Sequence, residues 1–250
     1  MPDNLTGQVA LVTGSAHRVG RAIALELARC GAHIMVHYHH SSSETVRDTV
    51  QEIKSLGVDA FAVQADISTA AGVEQIFAAI HDHFGKLHIL VNSASIFQKR
   101  RLMEVTLEEW EQTLAVNLTG PFLCTQAAAT LMRENDPAGG VIVNICDKGV
   151  DRPWPEYAHH GISKAALWSL TQVSAASLGP EIRVNAVIPG VVMKPAGRAM
   201  TDAQWAAIGE KTPLQRTGSA EDVARAVAYL AQEAYITGTA IHVDGGAHLN

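Results

Sequence analysis

The amino-acid sequence predicts an α/β protein with a single, doubly wound parallel sheet that is covered by helices on both faces. Short runs of consecutive apolar residues alternate with longer segments of helical spacing along the 250-residue chain. The strand candidates are apolar throughout rather than alternating, which is typical of parallel strands buried on both sides. A glycine-containing turn directly follows the first strand candidate, as in nucleotide-binding sheets. Together these three observations predict a single-domain Rossmann-type fold.

The strands and helices are predicted in strict alternation over most of the chain. Strands are expected at Val9–Thr13, Ile34–Tyr38, Ala60–Gln64, Leu87–Val91, Val141–Cys146, Ile182–Ile188 and Ala240–Val243. Helical spacing marks Val19–Arg29, Glu44–Leu56, Ala70–Phe84, Leu107–Met132, Tyr157–Leu178 and Ala220–Ala231. Gly31 is the expected C-cap of the first helix, and Pro121 is expected to kink the longest one. Ligands of such a sheet bind at the carboxyl ends of its strands.

One stretch, residues 191–217, is less regular than the rest. Lys194-Pro195-Ala196-Gly197 opens it and Thr212-Pro213 closes it. We interpret it as a partly helical segment that covers a substrate, and a plain surface insertion is the alternative. Since no linker or repeat interrupts the chain, residues 1–250 are predicted to form one domain.

Composition and charge narrow the class of protein. The formal net charge of −6 argues against a nucleic-acid partner, whose binding surface is usually basic. Cys30, Cys124 and Cys146 form no disulfide framework and are expected to be buried structural thiols in a reducing compartment. No signal peptide and no apolar run of ~18–20 residues is visible, so we expect a cytoplasmic protein without a membrane partner. The twelve histidines lack any specific metal-ligand spacing, so no metal site is predicted.

The first turn is a candidate phosphate site. Gly14 and Gly20 bracket it, directly before the first helix. Backbone N–H groups of such a turn and of the helix N-terminus can face an anion. The sequence therefore predicts a dinucleotide at this end of the sheet.

The end of the second strand indicates which dinucleotide binds. An acidic residue there would hold the ribose 2′-hydroxyl and repel a 2′-phosphate, but no carboxylate appears before Glu44. Arg18, His39, His40 and Ser41 could instead surround a 2′-phosphate. We therefore expect NADP(H) rather than NAD(H), and a merely solvated strand end is the alternative.

Motifs along nearly the whole chain resemble the short-chain dehydrogenase/reductase family. They are the glycine turn, Val116-Asn117-Leu118-Thr119-Gly120, Ser163-Lys164-Ala165-Ala166-Leu167 and Val243-Asp244-Gly245-Gly246. Four departures from the usual family pattern are similar to its pteridine reductase branch: Arg18 for a glycine, the run His39-His40-Ser41, Ser95 with Phe97, and Asp147 for the catalytic serine.

The resemblance implies a set of cofactor and substrate contacts. It places the NADP(H) on Gly14, Arg18, Val19, Gly20, His39, His40, Ser41, Asp66, Ile67, Asn92, Ser93, Ala94, Lys164, Pro189 and Gly190. Asp66 would lie at the adenine, and Pro189-Gly190 would form the turn on the nicotinamide side. Phe97 falls where a phenylalanine stacks on the pterin ring, and a phenylalanine packed on the protein is the alternative.

The resemblance also implies the catalytic residues, with one departure. Asn117 would hold a water that links Lys164 to solvent, and Lys164 would hold the nicotinamide ribose. Four residues before the lysine, where the family has its catalytic tyrosine, stands His160, while Tyr157 lies seven residues before it. Either His160 donates the proton, or Asp147 does so with a carboxyl pKa raised by burial. Asp147 and His160 would also contact the substrate.

The expected protein is thus an NADPH-dependent oxidoreductase that transfers hydride to a pterin C=N or to a carbonyl. Its partner would be a small-molecule substrate, a pterin or another flat heterocycle. The alternative is an NADP(H)-binding sensor with little or no turnover, since the catalytic tyrosine is replaced. The family resemblance also implies a homotetramer, in which helices Leu107–Met132 and Tyr157–Leu178 pair across a two-fold axis.

Overall fold

The computed structural model describes residues 5–194 and 200–249, and in it seven parallel strands form one sheet. Their order is β3-β2-β1-β4-β5-β6-β7. The strands are β1 Val9–Val12, β2 His33–Tyr38, β3 Ala60–Gln64, β4 Ile89–Asn92, β5 Gly140–Ile145, β6 Ile182–Pro189 and β7 Ala240–Val243. The predicted fold class is confirmed. From β1 the chain adds strands first on one side, as β2 and β3, and then on the other, beginning with β4. The carboxyl ends of β1 and β4 therefore flank the switch point at which such sheets bind ligands.

Eight α-helices connect and cover the strands in the described part of the chain. They are α1 Arg18–Arg29, α2 Ser43–Ser55, α3 Ala70–Phe84, α4 Leu107–Leu114, α5 Gly120–Arg133, α6 Ala158–Leu178, α7 Asp202–Gly209 and α8 Ala220–Gln232. The predicted elements are found with ends shifted by a few residues. Gly31 follows α1 with a φ of 94°, which agrees with its expected place at the helix end.

The long helix predicted at Leu107–Met132 is not uniform. A π-helical turn at Ala115–Thr119 separates α4 from α5. Pro121 lies in the first turn of α5, where a proline needs no backbone hydrogen bond. The residue four positions before Pro121 is Asn117, inside the π-helical turn, so the irregularity lies in the turn that a proline within a helix disturbs. Such turns are frequent at functional sites, and this one carries the buried Asn117.

Apolar layers fill both sides of the sheet. Helices α1 and α8 bury Ile23, Leu27, Val223 and Val227 against one face. Helices α3 and α5 bury a second set against the other face, including Ile76, Ile80, Cys124 and Met132. Each such side chain contributes about 1.5–3 kcal/mol by leaving water. Cys30, Cys124 and Cys146 are buried and take part in no disulfide, as predicted.

The irregular stretch 191–217 is partly helical in the residues that the structure describes. It contains α7, which Thr201 caps by accepting from the Gln204 backbone. Lys194 Nζ lies 2.5 Å from Oδ1 of Asp202, the first residue of that helix. Residues 195–199 of the predicted substrate cover lie outside the described residues. In the described ranges, no helix is both long and apolar enough to cross a membrane.

Candidate active site

The turn after β1 is a cradle that only glycine allows. Gly14 has a φ of 67°, and a Cβ there would lie 3.0 Å from Ala94 Cα. A Cβ on Gly20 would lie 2.4 Å from the Gly14 carbonyl oxygen. His17 stands at the N-cap of α1 without a side-chain cap, and the first helical turn carries no acidic residue. The helix N-terminus can thus face an anion, and the residues fit a dinucleotide diphosphate.

His37, on β2, is hydrogen-bonded to this turn, and the sequence alone did not identify it as part of the site. The Gly14 backbone N–H donates to His37 Nδ1 at 3.1 Å, and Nε2 lies 3.0 Å from the Ala65 carbonyl oxygen. The ring is therefore neutral with its proton on Nε2. Burial lowers the pKa of His37 to about 4. The available sequence signal was a histidine inside an apolar strand.

The predicted 2′-phosphate pocket is assembled only in part. The Arg18 Nη2 donates to the Lys194 carbonyl at 3.2 Å, and nothing in the described residues joins it to the histidines. The His39 and His40 rings lie 3.7 Å apart. Ser41 Oγ lies 3.2 Å from His17 Nδ1, a partner that sequence reasoning missed. Arg18 also keeps a φ of 56° at the position where the family has a glycine.

Asp66 and Ile67 follow β3 on the adenine side of the predicted site. Burial opposes ionisation of Asp66, but hydrogen bonds from Ser68 and the nearby His39 and His40 leave its pKa lowered. The Ile67 side chain is buried in the core, so its backbone is the part that can contact a ligand. Val19 is likewise partly buried against the core.

The turn after β4 is held to the turn after β1 by one hydroxyl. Thr13 Oγ1 accepts from the Ser93 and Ala94 backbone N–H groups at 2.9 and 3.0 Å. Asn92 was predicted to contact the cofactor, but its side chain lies inside the sheet. Its Nδ2 donates to Asn144 Oδ1 at 2.8 Å, because the last residue of β4 faces β5. The Asn92 side chain therefore joins β4 to β5, and the predicted contact of this residue with the cofactor stays a prediction.

His160 and Asp147 form a close pair at the end of β5. His160 Nε2 lies 2.5 Å from Asp147 Oδ2. The other ring nitrogen, Nδ1, lies 2.8 Å from the Ile96 carbonyl oxygen. Both ring nitrogens therefore face oxygen acceptors, and the ring is only 3% exposed. Asp147 Oδ1 accepts from the Gly149 N–H at 2.7 Å.

The contact with His160 influences the pKa of the Asp147 carboxyl group. Burial alone would raise its pKa, but the hydrogen bond and charge of His160, with the charge of Lys164, leave the pKa below its usual value. The alternative in which Asp147 donates the proton requires a raised pKa, so the lowered pKa favours the other alternative, His160. The physical reason is that two cationic side chains converge on one carboxyl group.

Lys164 and Asn117 complete the site. Lys164 is 3% exposed, and its Nζ donates to the Ile145 carbonyl at 2.8 Å. Burial lowers the pKa of Lys164. Asn117 holds both backbone groups of Ile96, accepting from its N–H at 2.8 Å and donating to its carbonyl at 3.0 Å. Asn117 also donates to Ser163 Oγ at 3.0 Å. It thus fixes the carbonyl that His160 uses, while its predicted water link to Lys164 stays a prediction.

Three aromatic side chains line the outer side of the pair. The Phe97 ring stacks on Tyr157 at 4.5 Å and meets the His160 ring at 4.7 Å with a near-perpendicular interplanar angle of 88°. Trp154 lies 4.3 Å from Tyr157. Phe97 remains 50% exposed, so one of its faces is available to a ligand. Sequence reasoning named Tyr157 only as the tyrosine nearest to Lys164 and missed Trp154, although both aromatic residues directly precede α6.

The turn after β6 closes the site on the far side. The Gly190 N–H donates to the Val243 carbonyl at 3.0 Å, and a Cβ on Gly190 would lie 2.7 Å from Asp244 Cα. Pro189-Gly190 therefore lies at the carboxyl edge of the sheet, and its contact with the nicotinamide stays a prediction.

Comparisons with known proteins match this geometry. Residues 14–248 match the family described as enoyl-(acyl carrier protein) reductase. The 3-oxoacyl-[acyl-carrier-protein] reductase FabG of Staphylococcus aureus is 37% identical over 243 residues, which are 96% of this chain and 98% of that protein. The 3beta-hydroxysteroid dehydrogenase 1 of Eggerthella lenta is 37% identical over 255 residues, covering 100% and 97%.

Solved structures agree with the fold along the whole chain. A putative short-chain alcohol dehydrogenase from Sinorhizobium meliloti has a TM-score of 0.89 and 32% identity, with 100% of both chains covered. A mutant of a short-chain dehydrogenase/reductase from Serratia marcescens has a TM-score of 0.90 and 34% identity, covering 98% and 99%.

A doubly wound sheet with a phosphate cradle and a buried lysine beside an ionisable pair defines an oxidoreductase of the Rossmann class. The matches narrow this class further, and the chain belongs to the short-chain dehydrogenase/reductase family.

Proposed function

We propose that this protein is an NADPH-dependent reductase whose proton donor is the His160–Asp147 pair. Its substrate is a pterin or another flat heterocycle with a C=N or a carbonyl group. The observation that carries the proposal is the 2.5 Å contact between His160 Nε2 and Asp147 Oδ2, on the same helix face as Lys164. His160 stands where the family has its tyrosine, one helical turn before the lysine.

The hydrogen-bond partners of His160 indicate which of its protons can be transferred to the substrate. A carboxylate and a backbone carbonyl oxygen only accept, so the shortest contacts of the two ring nitrogens of His160 are both hydrogen bonds when each nitrogen carries a proton. The Asn117 amide nitrogen, 3.4 Å from Nδ1, donates instead to the Ile96 carbonyl and to Ser163 Oγ. The Nδ1 proton stays on the Ile96 carbonyl, which Asn117 holds in place. The Nε2 proton is the transferable one, and it would pass to the nitrogen or oxygen of the reduced bond. Lys164 keeps the site positively charged where negative charge develops.

NADPH, when bound, supplies the hydride. The N-terminus of α1 would hold its diphosphate, because no side chain caps this helix end and its first turn carries no acidic residue. Gly14 and Gly20 would let the turn adopt the tight shape that brings the backbone close to the ligand, since a Cβ at either position would meet neighbouring backbone atoms. The 2′-phosphate would lie among Arg18, His39, His40 and Ser41. The remaining contacts would come from Val19, Asp66, Ile67, Ser93, Ala94, Lys164, Pro189 and Gly190.

The exposed face of Phe97 supports a flat substrate. An aromatic ring offset over such a face gains about 0.5–1.5 kcal/mol beyond burial. The relatives named 3-oxoacyl-[acyl-carrier-protein] reductase favour a different substrate, a ketone in an extended acyl thioester. Both kinds of substrate present an acceptor bond that takes one hydride and one proton.

A second candidate is an NADP(H)-binding sensor without turnover. The closed arrangement of His160 favours it, because Asp147 and Ile96 occupy both ring nitrogens. The two candidates differ in the fate of the bound NADPH. A reductase oxidises NADPH when substrate is added, whereas a sensor binds NADPH and leaves it intact.

The test is an NADPH oxidation screen with the purified protein. The substrates are dihydrobiopterin, dihydrofolate, quinones, simple ketones and a 3-oxoacyl thioester. We expect turnover with a pterin, and none with the Lys164→Met variant. Turnover with the thioester alone would move the substrate to the acyl class. Tight NADPH binding without any turnover would establish the sensor, and absence of NADPH binding would refute both candidates.

The assembly proposed for the protein is a homotetramer. Apolar side chains on three successive helices are exposed, namely Leu107 on α4, Phe122 on α5 and Val173 on α6. Helices α4 and α5 both contact α6, and large exposed apolar side chains on neighbouring helices favour burial against a second copy. We also propose that the 191–217 segment, with α7, covers the substrate.

A further inference from the structure

Three side chains near the end of the sheet form a compact cluster, which we call the C-terminal clamp. It is made of His242, on β7, and of Asp244 and His248, in the turn that follows β7. The rings of His242 and His248 lie 4.3 Å apart. Asp244 Oδ2 accepts from the backbone N–H of His248 at 2.8 Å and from its Nδ1 at 2.9 Å. Hydrogen bonds from His248 and Gly246 outweigh the effect of burial and leave the pKa of Asp244 lowered. Hydrogen bonds to the ionised carboxylate of Asp244 therefore hold the clamp together.

Two side chains of the loop after β5 are bound to this clamp. His242 Nε2 donates to Asp151 Oδ2 at 2.8 Å. Arg152 Nη2 donates to the His248 carbonyl at 3.2 Å. These contacts join positions 91 and 96 residues apart in the sequence. They also account for Asp151 and Arg152, which no step of the proposed reaction uses.

The same loop carries Asp147 at its other end. Asp147 caps the short 3₁₀ turn Lys148–Val150, and Asp151 ends it, with its N–H donating to the Lys148 carbonyl at 3.2 Å. A displacement of Asp151 therefore moves the turn that Asp147 caps. Since Asp147 must stay within hydrogen-bond distance of His160, small displacements matter for the reaction.

Two further segments that frame the site also contact the end of the chain. Gly190 donates to the Val243 carbonyl at 3.0 Å, and the Leu214 N–H donates to the Gly245 carbonyl at 3.2 Å. The C-terminal turn thus contacts the loop after β5, the turn after β6 and the end of the 191–217 segment. The contacts with the turn after β6 and with the 191–217 segment are made by the backbone, whereas the hydrogen bonds of the clamp to Asp151 and Arg152 reach only the loop after β5.

We propose that the C-terminal clamp holds the loop after β5 in place, so that Asp151 and Arg152 are positioning residues for Asp147. The consequence for activity rests on the function proposed above. Whether the clamp holds the loop after β5 in place can be tested without measuring turnover. A clamp of this kind would act on substrate turnover and not on cofactor affinity.

The test compares His242→Val with His242→Gln. Valine suits a strand but cannot donate to Asp151, whereas the glutamine amide can. We expect His242→Val to lower kcat about tenfold and to leave the Kd for NADPH within about twofold. His242→Gln should recover most of the loss. His81→Ala, at an exposed histidine on α3, is the matched control and should change neither quantity.

Hydrogen exchange followed by mass spectrometry gives the readout that is independent of activity. In His242→Val, amides of residues 148–152 should exchange about tenfold faster, and those of α1 should not change. Asp151→Ala should give the same result, and the double variant should add nothing to it. Unchanged exchange in both single variants would overturn the proposal, as would equal kcat values in the valine and glutamine variants. A wild type without turnover would sink the proposed function while the exchange data still decide the clamp.

Discussion

His160 is the residue on which the chemistry depends. An imidazole between a carboxylate and a backbone carbonyl can store a proton, whereas the usual tyrosine must be made more acidic by its lysine. The neighbouring Tyr157 offers a competing explanation, because it is the nearest phenol to the site. Its ring stacks on Phe97, and it precedes α6 at the N-cap.

Substitution separates the two donors. His160→Ala should lower kcat by roughly 10²–10⁴, the usual contribution of general-acid catalysis. Tyr157→Phe, which removes only the hydroxyl, should leave kcat almost unchanged. Steady-state rates with the best substrate of the screen provide the measurement. A large loss in Tyr157→Phe together with a normal rate in His160→Ala would assign the proton to the phenol.

His160→Tyr asks whether the site was rebuilt around the histidine. A site adapted to imidazole should become slower with tyrosine, because Asp147 would then lose its cationic partner. Faster turnover in this variant would instead show that the wild-type site had lost its donor. That outcome would support the sensor.

Arg18 combines a charge with an unfavourable backbone conformation. Its φ of 56° costs a non-glycine residue about 1–2 kcal/mol. The two effects can be measured separately with Arg18→Ala and Arg18→Gly. Both variants should reduce an NADPH preference of at least ~10-fold over NADH, the equivalent of one good phosphate contact. Only glycine should also raise the free energy of unfolding, by about 1 kcal/mol. Equal NADPH and NADH affinities in the wild type would contradict the cofactor assignment.

At the scale of elements, the strand ends depend on contacts that are remote in sequence. His37, on β2, links the turn after β1 to the end of β3 through its two ring nitrogens. Because its ring is neutral in the fold, protonation must break one of these hydrogen bonds. The folded pKa is about 4 against an ordinary value of 6.5.

A lowered histidine pKa gives a stability change of known sign. The unfolded chain binds the proton more readily, so the stabilisation is complete above about pH 6.5 and is lost as the pH falls towards about 4. The shift corresponds to a loss of about 3 kcal/mol over that window. Urea unfolding at a series of pH values should show it, and His37→Gln should give a flatter curve. Identical curves for the variant and the wild type would exclude His37 as the cause.

The sequence was sufficient for the elements but not for their junctions. Apolar runs such as those of β1 and β5 identify buried strands, and their alternation with helices determines the topology. The π-helical turn at Ala115–Thr119 could not be found this way, because the residue types in it are the same as those of an ordinary α-helical turn.

The candidate site shows the same division. Gly14, Asp147, His160 and Lys164, which the motifs select, lie at one edge of the sheet, because parallel strands all end there. Their roles stay predictions. The hydrogen bond between His160 and Asp147 depends on how the loop after β5 folds against α6. The hydrogen bond between the Asn92 and Asn144 side chains depends on the direction in which a side chain points at the end of a strand. Such details depend on packing and not on spacing.

At the scale of the whole molecule, exposed apolar side chains predict assembly. Val173 on α6 is 61% exposed, although it belongs to a helix whose other face packs on the sheet. Burying such side chains against a second copy would gain roughly 1.5–3 kcal/mol each. Light scattering at micromolar concentration should therefore report four subunits, with a dimer as the nearest alternative.

A charge at that face should break the assembly. Val173→Glu would have to bury a carboxylate between subunits, which is costly without a partner, so we expect smaller species in light scattering. Phe61→Glu is the matched control, since Phe61 is 43% exposed on the edge strand β3, away from α4, α5 and α6. It should keep the subunit number of the wild type. If the clamp and the His160 pair lie within one subunit, as their contacts indicate, the dissociated Val173→Glu protein should still bind NADPH. A monomeric wild type, or a Val173→Glu protein of unchanged mass, would show that this face is not the interface.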